Sequence, residues 1–214
     1  MQERPNTSEA FRLALRLGAT GLWGDVRRSA DGVAVIHEES ASGWRRTPVS
    51  SMNRSTLPAH VLDLDGLLEL AGTSELFLDV ADVAVVPDVL VALEAAGPGR
   101  PGLWLVHHDV ERLAEWRRSS GTVQLVHRSR LRHLEGGPER HAATLRDRSI
   151  DALAMHQSDW SAGLTTLFHR FGRLAVATDA DHVRIAGGLL DDGVDAVTGP
   201  HVDRLVDAAA TRAT

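Results

Sequence analysis

Short apolar runs that recur at a spacing of roughly 20 to 40 residues, each giving way to an amphipathic stretch, constrain this chain more than any other feature. Parallel strands need a crossover of a dozen residues or more between them, and a helix is the usual crossover. Seven strands are read at Gly21–Val26, Leu76–Val80, Leu103–His107, Val123–His127, Ala152–His156, Leu174–Thr178 and Ala196–Gly199, each followed by a helical segment. A further short strand, Val33–His37, follows the turn signal Asp31-Gly32. The expected fold class is α/β, a TIM-type (β/α) barrel.

The chain opens on a helix. Asn6 is placed to cap it, Glu9 follows three residues on as in a capping box, Phe11, Ala14 and Leu15 repeat at helical spacing, and Gly18 ends it. An eight-fold barrel begins with a strand, so the expected barrel either lacks its first strand or starts upstream of Met1. A barrel short of one strand leaves a seam between the Asp25 and Ala196 strands, to be covered by an insertion, by the C-terminal helix or by a second copy in a homodimer. Residues 39 to 60, rich in Ser, Thr, Arg and Pro, are expected to form a loop or small insertion over the active face.

With 214 residues, 43% of them hydrophobic, the chain can bury one sizeable core, and residues 1–214 are read as a single domain. A net charge of −6 without long blocks of like charge argues against a nucleic-acid or anionic-membrane partner. No stretch approaches the roughly 20 apolar residues of a membrane span, and the expected location is cytoplasmic. There is no cysteine, which removes disulfides, thiolate metal sites and cysteine nucleophiles. All 23 basic residues are arginine, which excludes a catalytic lysine.

In a barrel of this kind reactive groups gather at the C-terminal ends of strands. Those ends carry Asp25, His37-Glu38, Asp79, His107-His108, His127-Arg128, His156 and Thr178-Asp179, and four of the segments run from apolar residues straight into histidine. Histidine with carboxylate suits general acid/base work near neutral pH, or a divalent ion held by oxygen and nitrogen. His107, His127 and His156, taken singly, read first as solvated strand ends or caps of the following helix and only then as site residues. Trp44, Trp104, Trp116 and Trp160 read as core or helix-packing residues. Gly187 and Gly188 lie in a helical pattern without a strand-turn-glycine-helix context, so close packing accounts for them better than a phosphate loop.

The stretch Asn6-Thr7-Ser8-Glu9-Ala10-Phe11, then Gly21-Leu-Trp-Gly-Asp25-Val26-Arg27, then Asp31-Gly32-Val-Ala-Val-Ile-His37-Glu38, resembles the opening of the glycerophosphodiester phosphodiesterases. That family writes Glu-Asn-Thr with an Ala-Phe helix, Gly-Ile-Glu-Leu-Asp-Val, and Asp-Gly before His-Asp. Val61–Leu68, Leu76–Val80 and Gly193–Thr198 are similar to later family segments, so the resemblance spans most of the chain. It implies a barrel that hydrolyses a glycerophosphodiester to an alcohol and glycerol 3-phosphate, with a divalent cation (Mg or Ca) held by carboxylates and with histidines moving protons. Carried over residue by residue, it implies Asp25 and Asp79 as metal ligands and His37 as an acid/base group. Trp23, Arg27, His107, His127, Arg128 and His156 are the candidate contacts to a small phosphodiester or polyol-phosphate ligand.

The departures are as informative. The family's His-Arg-Gly strand has no counterpart in this sequence, Pro5 stands for a glutamate, Trp23 for a metal-binding glutamate, Ala81 for a phosphate-contacting lysine and Glu38 for an aspartate. Each contact of this kind is typically worth about 10² to 10⁴ in rate, so activity is expected to be weakened or altered. Three readings stay open: a divergent phosphodiesterase, a catalytically inactive relative that binds a ligand, and a barrel retooled around a transition metal.

Overall fold

The computed structural model describes residues 4–38, 48–97 and 99–212, which group into two compact units, Met1–Leu105 and Val106–Thr214. None of the described helices is long and apolar enough to cross a membrane.

The first unit opens on α1 (Ser8–Leu17), closed by Gly18 at φ 100°. Its cap is Thr7 and not Asn6: the Thr7 hydroxyl accepts from the Ala10 N–H at 3.3 Å, while Asn6 adopts the left-handed region at φ 57° and spends its amide elsewhere. Strand β1 (Gly21–Arg28) turns through Gly32 into β2 (Ala34–Ile36), an antiparallel partner with Val26 opposite Ile36. The first strand is therefore followed by a hairpin and not by a helix, because Asp31-Gly32 closes a tight turn.

The part of the 39–60 segment that is described, residues 48–60, is packed and not irregular. It contains 3₁₀ turns at Val49–Ser51 and Arg54–Thr56, and Val49, Leu57 and Val61 bury themselves with Val35. Residues 39–47, including Trp44, lie outside the described residues. A two-residue strand that the sequence pattern did not announce, β3 (Leu62–Asp63), pairs with β2, and the Asp63 carboxylate caps α2 (Leu64–Ala71). Strand β4 (Glu75–Val80), α3 (Val86–Ala95) and β5 (Leu103–His107), which crosses the unit boundary, complete the order β3-β2-β1-β4-β5.

Alternation along β1 and β4 decides where the chemistry lies. Leu22, Gly24 and Val26, with Leu76, Leu78 and Val80, are buried on the face against which α1 and α2 pack. Trp23, Asp25 and Arg27, with Phe77 and Asp79, stand on the other. Glycine at position 24 lets the Ile36 side chain of β2 come close: a Cβ there would sit 3.1 Å from Ile36 Cγ2, with Asn6 Oδ1 at 3.4 Å and Phe11 Cζ at 3.5 Å in ordinary contact.

The second unit repeats the βα step: α4 (Val110–Ser119), β6 (Gln124–Ser129), α5 (Pro138–Asp147), β7 (Ala152–His156), α6 (Ala162–Arg170), β8 (Leu174–Thr178), α7 (Val183–Asp191), β9 (Ala196–Val197) and α8 (Val202–Ala210). Strands β6-β7-β8-β9 are parallel throughout. Trp116 and Trp160 are buried core residues, as expected. Gly187 lies inside α7 with an Arg212 nitrogen 2.7 Å from where a Cβ would stand, so it serves close packing.

A histidine pair is built into this unit's core. His127 of β6 and His141 of α5 are 5% and 7% exposed, with His141 Nε2 3.0 Å from His127 Nδ1 and His127 Nε2 3.0 Å from the His108 carbonyl. A carbonyl only accepts, so His127 carries its proton on Nε2, its Nδ1 is the acceptor, and His141 Nε2 is the donor. The chain of bonds needs His127 neutral, because a proton on its Nδ1 would face the His141 N–H. Burial and then the neighbouring His141 hold His127 down to about 4, and burial lowers His141 as well.

Because both folded-state values lie below the free imidazole value near 6.5, the unfolded chain takes up these protons first, and stability is present above that pH and lost as pH falls towards 4. The unfolding free energy of the wild type, measured in urea, is expected to fall between pH 6.5 and 4.5, by up to about 1.4 kcal/mol per pH unit for each proton concerned, and less steeply in His127→Gln. Equal slopes would remove the pair from the account. Gly24→Ala is expected to cost about 1 to 3 kcal/mol in urea unfolding, since its methyl would push on Ile36 Cγ2, 3.1 Å away; a neutral effect would mean that the contact yields freely.

Candidate functional site

Three polar residues share one face of the first unit because their strands are in register. Asp25 of β1 is paired with Asp79 of β4 across a parallel ladder. On the other side of β1, the His37 N–H donates to the Asp25 carbonyl at 2.8 Å, which continues the antiparallel register and sets His37 opposite Asp25. Residues paired in this way project to the same side of a sheet. Arg27, two residues further along the same face, donates from Nε to the His37 carbonyl at 3.1 Å and ties the strand end to the segment that carries the histidine. Asp79 is 5% exposed, Asp25, Arg27 and His37 are half-buried, and Glu38 is exposed.

Asn6 completes this group and was missed as a site residue. Its Nδ2 donates to Asp25 Oδ2 at 2.8 Å, and its Oδ1 accepts the Asp25 backbone N–H at 3.0 Å. The sequence signal was present, since Asn6 belongs to the Asn-Thr pair of the opening motif, but an asparagine before an amphipathic run reads most simply as a cap.

Below the carboxylates lies an aromatic layer. Trp23 is paired with Phe77, two residues back from Asp25 and Asp79, with ring centroids 5.5 Å apart and planes 3° from parallel. Phe77 in turn stacks on Trp104 of β5 at 5.1 Å and 9°. Offset stacks of this kind contribute roughly 0.5 to 1.5 kcal/mol per pair beyond their buried area. Trp104 Nε1 donates to Glu75 Oε2, anchoring the far end of the stack. The indole at position 23, which stands where the resemblance implies a carboxylate, is thus one end of a continuous apolar layer.

This donor set does not build a magnesium or calcium cage. Among the described residues no three His, Asp or Glu side chains are grouped so that they could hold a metal ion. The face offers two carboxylates, and one oxygen of Asp25 is given to Asn6. Calcium takes six to eight oxygens and magnesium a full octahedron, so most of either shell would have to come from water or ligand.

The candidates of the second unit divide between two faces. His107 and His127 turn towards the helices: His107 packs edge-on against Trp116 of α4 and accepts the Asp109 N–H on Nδ1 at 3.0 Å, and His127 is committed to His141. Burial and the adjacent His108 lower the His107 value. Arg128, the next residue along β6, projects to the opposite face and is exposed. Its register partner Ala154 places it on the same face as His156 and Thr178. His156 Nδ1 accepts the Ser158 N–H at 3.2 Å and caps the 3₁₀ turn Gln157–Asp159. The cap reading holds for His156; His107 is buried and the cap of α4 is Asp109, whose backbone N–H donates to the His107 ring.

Neither a protein-family model nor a curated protein sequence matches the chain. Solved structures do. A glycerophosphodiester phosphodiesterase from Thermotoga maritima superposes with a TM-score of 0.80 at 18% identity, over 94% of this chain and 91% of that one. A phosphodiesterase from Oleispira antarctica, in complex with the product sn-glycerol-3-phosphate, gives 0.82 at 17% identity over 96% and 91%. A glycerophosphodiester phosphodiesterase from Agrobacterium tumefaciens gives 0.75 at 17% over 96% and 93%. Likeness of this extent at this identity establishes the fold: the chain has the α/β, TIM-type (β/α) barrel fold of the glycerophosphodiester phosphodiesterases.

Proposed function

We propose that this chain is a divergent glycerophosphodiester phosphodiesterase-like protein that binds a small phosphodiester or polyol phosphate at the Asp25–Asp79–His37 face, with metal-dependent hydrolysis strongly weakened or lost. The observation that carries this reading is the register that brings Asp25, Asp79 and His37 to one face of adjacent strands, over the Trp23–Phe77–Trp104 layer. The Oleispira antarctica structure supports the ligand class, since a protein of the same fold holds sn-glycerol-3-phosphate.

Two carboxylates side by side accept hydrogen bonds from the hydroxyls of a polyol. His37 donates to or accepts from a phosphoryl or leaving oxygen, according to its protonation, and Arg27 brings positive charge to the same face. The aromatic layer supports the apolar side of a carbon skeleton. Hydrolysis asks for more. Charge on the phosphoryl oxygens must be neutralised and the departing alkoxide protonated, and a bound divalent ion would supply the first of these. With an indole in place of one carboxylate and Ala81 in place of the lysine, each loss of about 10² to 10⁴ in rate compounds with the next. The strand-end histidines offer no replacement on the helix-facing side, because His107 and His127 are engaged there. Arg128 and His156, on the opposite face of their own unit, remain candidate ligand contacts.

The test combines thermal shift with turnover. sn-Glycerol 3-phosphate is expected to raise the unfolding temperature of the wild type, and at a hundred times its Kd a ligand that binds only the native state adds about 2.7 kcal/mol. Asp25→Ala should abolish most of that shift. Glycerophosphocholine with Mg²⁺, Ca²⁺, Mn²⁺ or Zn²⁺ should give turnover no higher than the His37→Ala control. Metal-dependent release of glycerol 3-phosphate that both substitutions abolish would restore the full enzyme reading, and absence of any shift would remove the ligand.

A further inference from the structure

We propose that Asn6 is the positioning residue of Asp25, holding one carboxylate oxygen so that Asp25 meets a ligand through Oδ1 alone. The grip is two-sided. Asn6 Nδ2 donates to Asp25 Oδ2 at 2.8 Å while Asn6 Oδ1 takes the backbone N–H of the same residue at 3.0 Å, so one planar amide fixes both the side chain and the strand position of Asp25. The other carboxylate oxygen accepts no hydrogen bond among the described residues.

The chain is shaped around this contact. Asn6 sits at φ 57°, a conformation asparagine tolerates better than most residues, and the capping of α1 passes to Thr7. Gly24 lies beside the contact: the Asn6 Oδ1 atom would be in ordinary van der Waals contact, 3.4 Å, with a Cβ placed there. A carboxylate free on both oxygens can rotate and chelate. One oxygen held by an amide N–H fixes the plane of the group, so Asp25 offers a single acceptor in a set direction, which suits one ligand hydroxyl or one coordination position. Which ligand Oδ1 meets rests on the reading given under Proposed function; the grip itself does not.

Two substitutions separate the parts. Asn6→Gly keeps the left-handed backbone that glycine adopts freely, leaves the Thr7 cap in place and removes both hydrogen bonds. Asn6→Asp can still accept from the Asp25 N–H but turns a second carboxylate towards Oδ2. With sn-glycerol 3-phosphate as the calorimetric probe, Asn6→Gly is expected to weaken binding about tenfold and Asn6→Asp further, while in an Asp25→Ala background Asn6→Gly should change nothing more. Equal affinity of the wild type and Asn6→Gly would overturn the proposal. The second readout is the Asn6 side-chain amide signal in NMR, assigned by its loss in Asn6→Gly. It should exchange slowly with solvent and shift on Asp25→Ala, and a signal that does neither overturns the proposal whatever the calorimetry gives. A wild type that binds no ligand but shows the protected, Asp25-dependent amide would defeat the ligand reading and leave the grip standing.

Discussion

The parallel ladder between β1 and β4 is the constraint on which the candidate site depends. Six consecutive positions, Gly21 to Val26 against Glu75 to Val80, are held in one register. That register alone sets Asp25 beside Asp79 and Trp23 beside Phe77. A slip of one residue would send the carboxylate of the shifted strand into the apolar layer beneath α1 and α2, where an unpaired charge costs several kcal/mol, so burial of Leu22, Val26, Leu76 and Leu78 specifies the site as firmly as it specifies the core. The hairpin then adds His37 from the other side of β1, and Asn6 comes in from the segment before α1. Four pieces of chain remote from one another in sequence converge because one strand is central to all of them.

The two layers on this face pull the chemistry in different directions. Asp25, Asp79 and His37 are the kind of groups that handle polyols, phosphoryl oxygens and protons. The layer below is apolar and stacked: replacing Phe77 by a charge would break two stacked contacts, and replacing Trp23 or Trp104 would break one. An indole beside a polar rim adds apolar surface and no charge; a hydroxyl can be held by one carboxylate oxygen, whereas a dianionic transition state needs concentrated positive charge.

Much of this was legible in the sequence, for reasons that differ by element. The strands of the second unit were placed to within a residue or two because each is a short β-branched or aliphatic run bounded by Gly, Asp or Arg. Asp25, His37 and Asp79 were legible as a group only through the motif that joins them, since nothing in their separate spacings brings them together. Strand Leu62–Asp63 was not, because two residues carry no periodicity, and the packed turns at 48–60 were hidden by a polar composition typical of loops. His107 and His127 show the limit of reading strand ends: a histidine that finishes an apolar run is polar enough to line a mouth and small enough to pair inside a core. Only the partner on the neighbouring helix, Trp116 or His141, decides between them. Asn6 failed for a similar reason, because cap and clamp demand the same amide.

The proposed function turns on the residue at position 23, and the most direct measurement introduces there the carboxylate that the resemblance implies. Isothermal titration of Ca²⁺ and Mg²⁺ into the wild type and into folded Trp23→Glu protein compares the site with and without its third acidic group. The account predicts weak or undetectable binding to the wild type and at least about tenfold tighter binding to the variant, the scale of one added ligand to a hard cation. Tight binding to the wild type, unchanged by the substitution, would contradict it and would mean that Asp25, Asp79 and the groups around them already form a competent metal site.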